Sequence, residues 1–191
     1  MQKIGTVAFV QIQTNPLKTG EKGGRLYSPQ NILRVPRLRL TSDGAFGLLN
    51  DGEQVMDVHH PQHPQTRYRG DNGVSFGFLP YYAQMRERFG HHLEDGTAGE
   101  NILIEVAHLP AEPPRLLIIE DSEGQRLPLR QIVPAPPCKP FSFFCLRRQV
   151  EAEEMKATLQ WLGEGRRGYY AAPEVDEFQA IIQAGDSVYS A

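Results

Sequence analysis

Cys138 is the residue of this sequence best suited to covalent or metal chemistry. It sits in Pro136-Pro137-Cys138-Lys139-Pro140-Phe141, where prolines on both sides stiffen the backbone and would present the thiol from a rigid loop. Lys139 is adjacent, and a nearby cation favours the thiolate, the form that attacks sulfur or binds a soft metal. The competing reading is a buried, inert cysteine. Cys145, in Phe143-Phe144-Cys145-Leu146, has apolar neighbours and is expected in the core. Histidines cluster at His59, His60 and His63, and again at His91-His92. Pro61 and Pro64 forbid a continuous helix that would set the first group at metal-ligand spacing, so loop or pocket-wall roles are expected. Gly96-Thr97-Ala98-Gly99-Glu100-Asn101 lacks the spacing and the lysine of a phosphate-binding glycine loop. Basic pairs stand at Arg147-Arg148 and Arg166-Arg167, with Lys18 and Lys22 in an early loop. Such pairs are usually solvated; converging on one pocket, they would hold an anion such as phosphate.

The elements that must position these groups are short. Residues 5–13 read as an opening strand, stopped by Asn15-Pro16, and 18–24 as a polar, glycine-rich loop. Residues 37–41 alternate at period 2, followed by a turn at Ser42-Asp43-Gly44, and 45–58 suit a hairpin about Asn50-Asp51-Gly52. Residues 59–72 are polar and proline-bearing, hence a loop. Apolar positions at Leu79, Tyr82, Met85 and Phe89 predict a helix that Gly90 ends. Residues 116–120 and 126–133 form the clearest hairpin, while the prolines of 134–140 admit no regular ladder. A second helix is predicted over 150–162, and short strands over 169–172, 180–182 and 187–189. The expected whole is seven to nine strands with two helices, a barrel or sandwich with peripheral helices.

Composition narrows the function classes. The chain has 191 residues with 20 basic and 23 acidic side chains, a net charge of −3, which disfavours a dedicated nucleic-acid binder or a polybasic membrane binder. Two cysteines make neither a disulfide scaffold nor a four-cysteine zinc site. The longest aliphatic run, 116–119, is far short of the roughly 20 residues that span a bilayer, and the first residues show no leader pattern. A single domain over 1–191 in the cytoplasm is expected. Gly and Pro, 18 and 15 residues, exceed average usage and favour a β-rich fold.

Several motifs, in order, resemble the MOSC domain, named for the C-terminal part of molybdenum cofactor sulfurases. Gly99-Glu100-Asn101-Ile102 follows a glycine-rich turn, as a similar Gly-Glu-Asn motif does in the family. Pro137-Cys138 follows the strand at 127–133, where the family carries its key cysteine. Gly165-Arg166-Arg167-Gly168-Tyr169-Tyr170, then Ile181, Ile182, Gly185-Asp186 and Val188, is similar to the family's closing pattern. The resemblance spans roughly 18–189 and implies a mainly β fold with peripheral helices, a MOSC-type β-barrel. It implies a pocket for the molybdenum cofactor or a sulfur species, with Cys138 as metal ligand or persulfide carrier. Glu100, Asn101, Arg166 and Arg167 are the other implied pocket residues, and Asn15-Pro16-Leu17-Lys18-Thr19 looks like the early loop whose lysine and hydroxyl hold the cofactor phosphate. His59-His60 resembles a family histidine motif, except that Pro61-Gln62 replaces the glycines that usually follow. No aminotransferase-like domain is present in the sequence, so the chain is not expected to mobilise sulfur from cysteine by itself.

The expected function is molybdenum-cofactor binding through a cysteine ligand. It would serve a molybdenum-dependent reduction, for instance of N-hydroxylated compounds, or the carriage of sulfur or cofactor. A redox partner or a sulfur donor or acceptor protein is then implied, since no flavin, haem or iron–sulfur motif is visible. The alternative is a barrel-shaped binding or interaction module that keeps the fold without the chemistry.

Overall fold

Short apolar alternations broken by glycine and proline favour strands joined by tight turns, and here the strands close on themselves. The computed structural model describes residues 1–21, 24–174 and 180–191. β1 (Gln2–Gln13) is followed by two short paired arms, β2 (Lys18–Thr19) and β3 (Leu26–Tyr27). A 3-10 turn at Pro29–Asn31 leads into β4 (Ile32–Val35) and then the meander β5 (Arg37–Thr41), β6 (Gly44–Leu48) and β7 (Gln54–Met56). β8 (Val74–Phe78) runs directly into α1 (Leu79–Phe89), and β9 (Ile102–Val106) returns parallel to β8. β10 (Leu117–Glu120) and β11 (Arg126–Pro134) form a hairpin. α2 (Lys139–Leu146) and α3 (Ala152–Gly163) come next, then β12 (Tyr169–Pro173), β13 (Ala180–Gln183) and β14 (Ser187–Ser190).

Seven strands form a closed barrel in the order β1-β14-β10-β11-β12-β8-β9, antiparallel throughout except for β8 beside β9. β1 uses one edge twice. Gln2 to Thr6 pair with β14, and Val10 to Gln13 pair with β4, while the other edge holds β9. The strands approach closely at Gly5, where a Cβ would lie 1.9 Å from the Glu105 carbonyl oxygen. A second sheet, β13-β5-β6-β7, adds Leu38, Leu40, Ala45 and Ile182 to the barrel core.

Strand periodicity divides the interior in two. Ile102 and Ile104 of β9 point into the barrel, whereas Leu103 between them faces a second cluster outside it. There Tyr82 and Met85 of α1, Phe141 and Cys145 of α2 and Leu162 of α3 pack around Leu103 and Tyr27. Each such buried side chain contributes about 1.5–3 kcal/mol relative to exposure. Cys145 is fully buried, as its neighbours in sequence imply.

The 79–90 and 150–162 helices and the 116–133 hairpin match α1, α3 and β10–β11 to within two residues. α2 corrects the expected helix number from two to three. Its prolines hid it: Pro140 occupies the first turn, where a missing N–H breaks no helical bond, and Cys138 caps the start in extended conformation. The extra strands are mostly arms of two to four residues, such as β2, β3 and β7, too short to show a period. No helix is long and apolar enough to cross a membrane among the described residues.

Candidate functional site

Where β1 ends and β8 and β9 begin, the barrel mouth meets the loop at 59–72 and the β2–β3 arm. A cleft of about 250 Å³ opens there. Five of its lining residues are cationic, Lys18, Arg25, Arg67, Arg69 and Arg167, against one carboxylate, Glu100. That imbalance gives the cleft a positive potential, which would favour an anion.

Arg167 is its most constrained member. The turn from α3 to β12 holds Gly165 and Gly168 at φ +82° and +85°, with the Gly168 N–H donating to the Gly165 carbonyl at 2.9 Å. A Cβ on Gly165 would fall 2.0 Å from the Tyr169 hydroxyl, so only glycine fits. The turn sends the two arginines in opposite directions. Arg166 donates to Gln84, to the Trp161 carbonyl and to Glu164, and lies over the Trp161 ring, away from the cleft. Arg167 turns into the cleft wall, 9% exposed, with its guanidinium 4.9 Å from the Phe141 ring centroid. Its side chain has no hydrogen bond or ion pair with any described residue, and its Nε is buried without a partner. Burial works against its charge; its pKa is nevertheless raised, by Tyr27, Cys138 and Tyr170, which carry charge only when deprotonated, and by Glu100, so the neutral phenols and thiol do not offset the burial at neutral pH.

Lys18, on β2 opposite Tyr27, reaches over the cleft toward Cys138. Crowding lowers its pKa, chiefly by desolvation and further by Arg167 and Arg69, while contact with the Cys138 sulfur raises it in part. Cys138 is half-buried. It does not line the cleft itself but lies at its edge against Lys18, with Arg167 also nearby. Its carbonyl accepts from both the N–H and the hydroxyl of Ser142, which fixes the start of α2. Burial pushes the Cys145 thiol up to about 12.

Glu100 is 2% exposed on the cleft floor. Its Oε2 accepts from the Tyr82 hydroxyl at 2.7 Å, Oε1 has no partner among the described residues, and burial raises its pKa. Asn101 faces away from the cleft. Its Oδ1 accepts from the Ser75 N–H and hydroxyl, both at 3.0 Å, and its Nδ2 donates to the Gln11 carbonyl and to Asp57. Those bonds join β1, β8 and the start of β9 at the cleft rim. Thr19 lines an outer shelf that shares Lys18, Arg25 and Arg67 with the cleft. The structure thus brings Lys18, Glu100, Arg167 and Cys138 together, with Thr19 and Asn101 just outside and Arg166 on another face. Lys22 lies outside the described residues.

Sequence reasoning missed Arg25, Arg67, Arg69 and Asp57. The Arg67-x-Arg69 spacing within a loop was the available signal for two of them. Asp57 is fully buried and accepts four hydrogen bonds: from the Gln13 N–H, from Asn101, and from both the backbone and the Nδ1 of His59. His59 lines the cleft, so with Nδ1 engaged its Nε2 edge is the one left for a ligand. His60 instead packs on Phe46, and burial lowers its pKa. No group of three His, Cys, Asp or Glu side chains gathers to hold a metal among the described residues.

No family model matches the sequence, and no curated protein matches it. Solved structures do resemble the fold. YuaD from Bacillus subtilis superposes with a TM-score of 0.59 at 14% identity, covering 96% of this chain and 93% of that one. YiiM from Geobacillus stearothermophilus gives 0.54 at 11% identity over 97% and 74%, and YiiM from Escherichia coli 0.52 at 12% over 100% and 70%. At such identities the likeness concerns architecture alone, and the architecture is the MOSC-like β-barrel.

Proposed function

We propose that the cleft binds an anionic, phosphate-bearing cofactor, and that this is the molybdenum cofactor, with Cys138 as the protein's sulfur donor. The observation that carries the reading is Arg167, a nine-tenths buried guanidinium at a cleft wall with no partner among the described residues. Unmet buried charge is costly, and a bound anion would satisfy it. The donor set limits what kind of metal could sit here. One thiol without a supporting cluster suits only a metal that arrives with its own organic ligand, as the pterin cofactor provides. Lys18, Arg67, Arg69 and Arg167 would hold its phosphate, and Cys138 would offer the soft ligand. When bound, the cofactor would supply two-electron redox chemistry. The chain's own residues bind and orient: the arginines fix the anion, and Lys18 neutralises charge beside the sulfur. His59, oriented through Nδ1 by Asp57, presents Nε2 for proton exchange.

The reading has an enzymatic form, reduction of a substrate such as an N-hydroxylated compound with electrons from a partner protein. It also has a carrier form, with a persulfide on Cys138 passed to an acceptor. Metal and sulfane-sulfur analysis of protein made in a cofactor-producing host separates them. Stoichiometric molybdenum lost in Cys138→Ala supports the enzyme, and persulfide on Cys138 without metal supports the carrier. Neither signal, with Cys138→Ala folding normally, would leave a binding module that kept the barrel alone.

A further inference from the structure

The outer face of α2 is not explained by the cleft. A surface helix ordinarily turns polar groups to solvent. α2 buries Phe141, Ser142 and Cys145, yet Phe143 and Phe144 line a surface groove and Phe143 is 40% exposed. Leu26 of β3, 73% exposed, lines the same groove. The groove between them holds about 630 Å³, within the range of small-molecule sites. Tyr27 and Phe144, ring centroids 5.3 Å apart, together with Pro140 and Val150, complete its apolar wall.

Its charges are unequal. Arg148 is taken up by an ion pair with Glu154. Arg25 has no ion pair or hydrogen bond with any described residue, and it lines both the groove and the cleft, as Tyr27 does. The groove is therefore mainly apolar, edged by Gln149 and the paired Arg148, with Arg25 the one cation left unneutralised among the described residues, where the groove joins the electropositive cleft. We propose that it binds an amphipathic organic anion, an aryl or short alkyl body lying on Leu26, Phe143 and Phe144 with its acid group on Arg25. A second copy of this chain is a poorer fit, because a two-fold contact through the groove would bring both copies' Arg25, unpaired among the described residues, into one interface. The assignment stands on the groove's own residues, whatever fills the cleft.

Phenylbutyrate and its neutral amide, phenylbutanamide, serve as probes, followed by backbone-amide NMR on the whole chain. The acid is expected to shift the Leu26, Phe143 and Val150 signals and to bind about tenfold more tightly than the amide, the value of one charge-assisted hydrogen bond. Arg25→Gln should erase that preference. Phe143→Ser, and independently Leu26→Ser, should weaken both probes about fivefold while leaving sulfate binding in the cleft unchanged. Both positions are exposed, so the remaining spectrum should report an intact fold. Equal affinity for acid and amide, shifts confined to the cleft, or a concentration-dependent dimer abolished by Phe143→Ser would each overturn the proposal.

Discussion

Exchanging Arg167 for methionine keeps the volume of the side chain while removing its charge. A buried polar group without a partner costs ~1–3 kcal/mol, and the guanidinium's contact with the Phe141 ring returns ~0.5–1 kcal/mol of that. In sulfate-free buffer Arg167→Met should therefore be more stable than the wild type by ~0.5–2 kcal/mol, a rise in Tm of about 1–8 °C for a chain of this size. Anion binding should move the other way. At a sulfate concentration a hundredfold above Kd the wild type gains ~2.7 kcal/mol by mass action. Losing the charge-assisted contact, ~1.5–3 kcal/mol, weakens Kd by about ten- to a hundredfold. The gain at the same sulfate concentration then falls to ~0.4–1.4 kcal/mol. Calorimetric melting in sulfate and in chloride at matched ionic strength reads both effects in one series. A variant that melts below the wild type in chloride yet keeps the full sulfate response would refute the reasoning, since Arg167 would then be a structural group and not an anion receptor.

Lys18 carries a pH dependence. Its folded pKa lies below 10.5, mainly through desolvation, so the unfolded chain binds more protons between the two values and stability should rise with pH across that window. Sulfate affinity should decline at a pH below 10.5 as the ammonium is lost, and sulfate titrations of Lys18→Gln in a Cys138→Ser background should lack that alkaline limb. Cys145, with its thiol pushed up to about 12, should resist iodoacetamide at pH ~8 in the folded state. Mass spectrometry should find Cys138 as the single labelled site, and a folded Cys138→Ser chain that still reacts would contradict the burial. Glu100 has a raised pKa, so its ionisation opposes folding: the contribution is fully favourable below 4.5 and is lost as pH rises through the folded value. Urea melts of Glu100→Gln should show a smaller loss of stability across that interval than the wild type. Asn101→Ala removes bonds to Ser75, Gln11 and Asp57 and should cost ~2–4 kcal/mol in urea denaturation without altering sulfate affinity.

Elements with their own period were legible in the sequence. Leu117 to Pro134 alternates about a turn at Asp121, whose Oδ1 accepts from the Glu123 and Gln125 N–H groups, and the structure builds that hairpin. α2 was not legible, because prolines that exclude a ladder are harmless in a helix's first turn. Cys138 stood out through the stiffness of its surroundings. Arg25, Arg67 and Arg69 did not, since a cation in a polar loop looks solvated until topology brings three loops to one mouth. Asp57 and His59 are only two residues apart, but their meaning depends on Gln13 and Asn101, 44 positions away on either side. The opposite fates of Arg166 and Arg167 depend on two left-handed glycines that a string of letters does not display.

The shared edge of β1 bears on how the molecule comes into being. Gln2 and Ser190 are partners across the β1–β14 ladder, so the wall cannot be sealed until β14 has left the ribosome, long after β1. Until then the nascent chain holds an open, curling sheet whose unsatisfied rim is the natural target of a chaperone. The same adjacency makes the molecule a natural subject for circular permutation: a short linker from Ser190 to Gln2, with new ends cut at the Asp121 turn, would let the seam form early and hasten closure.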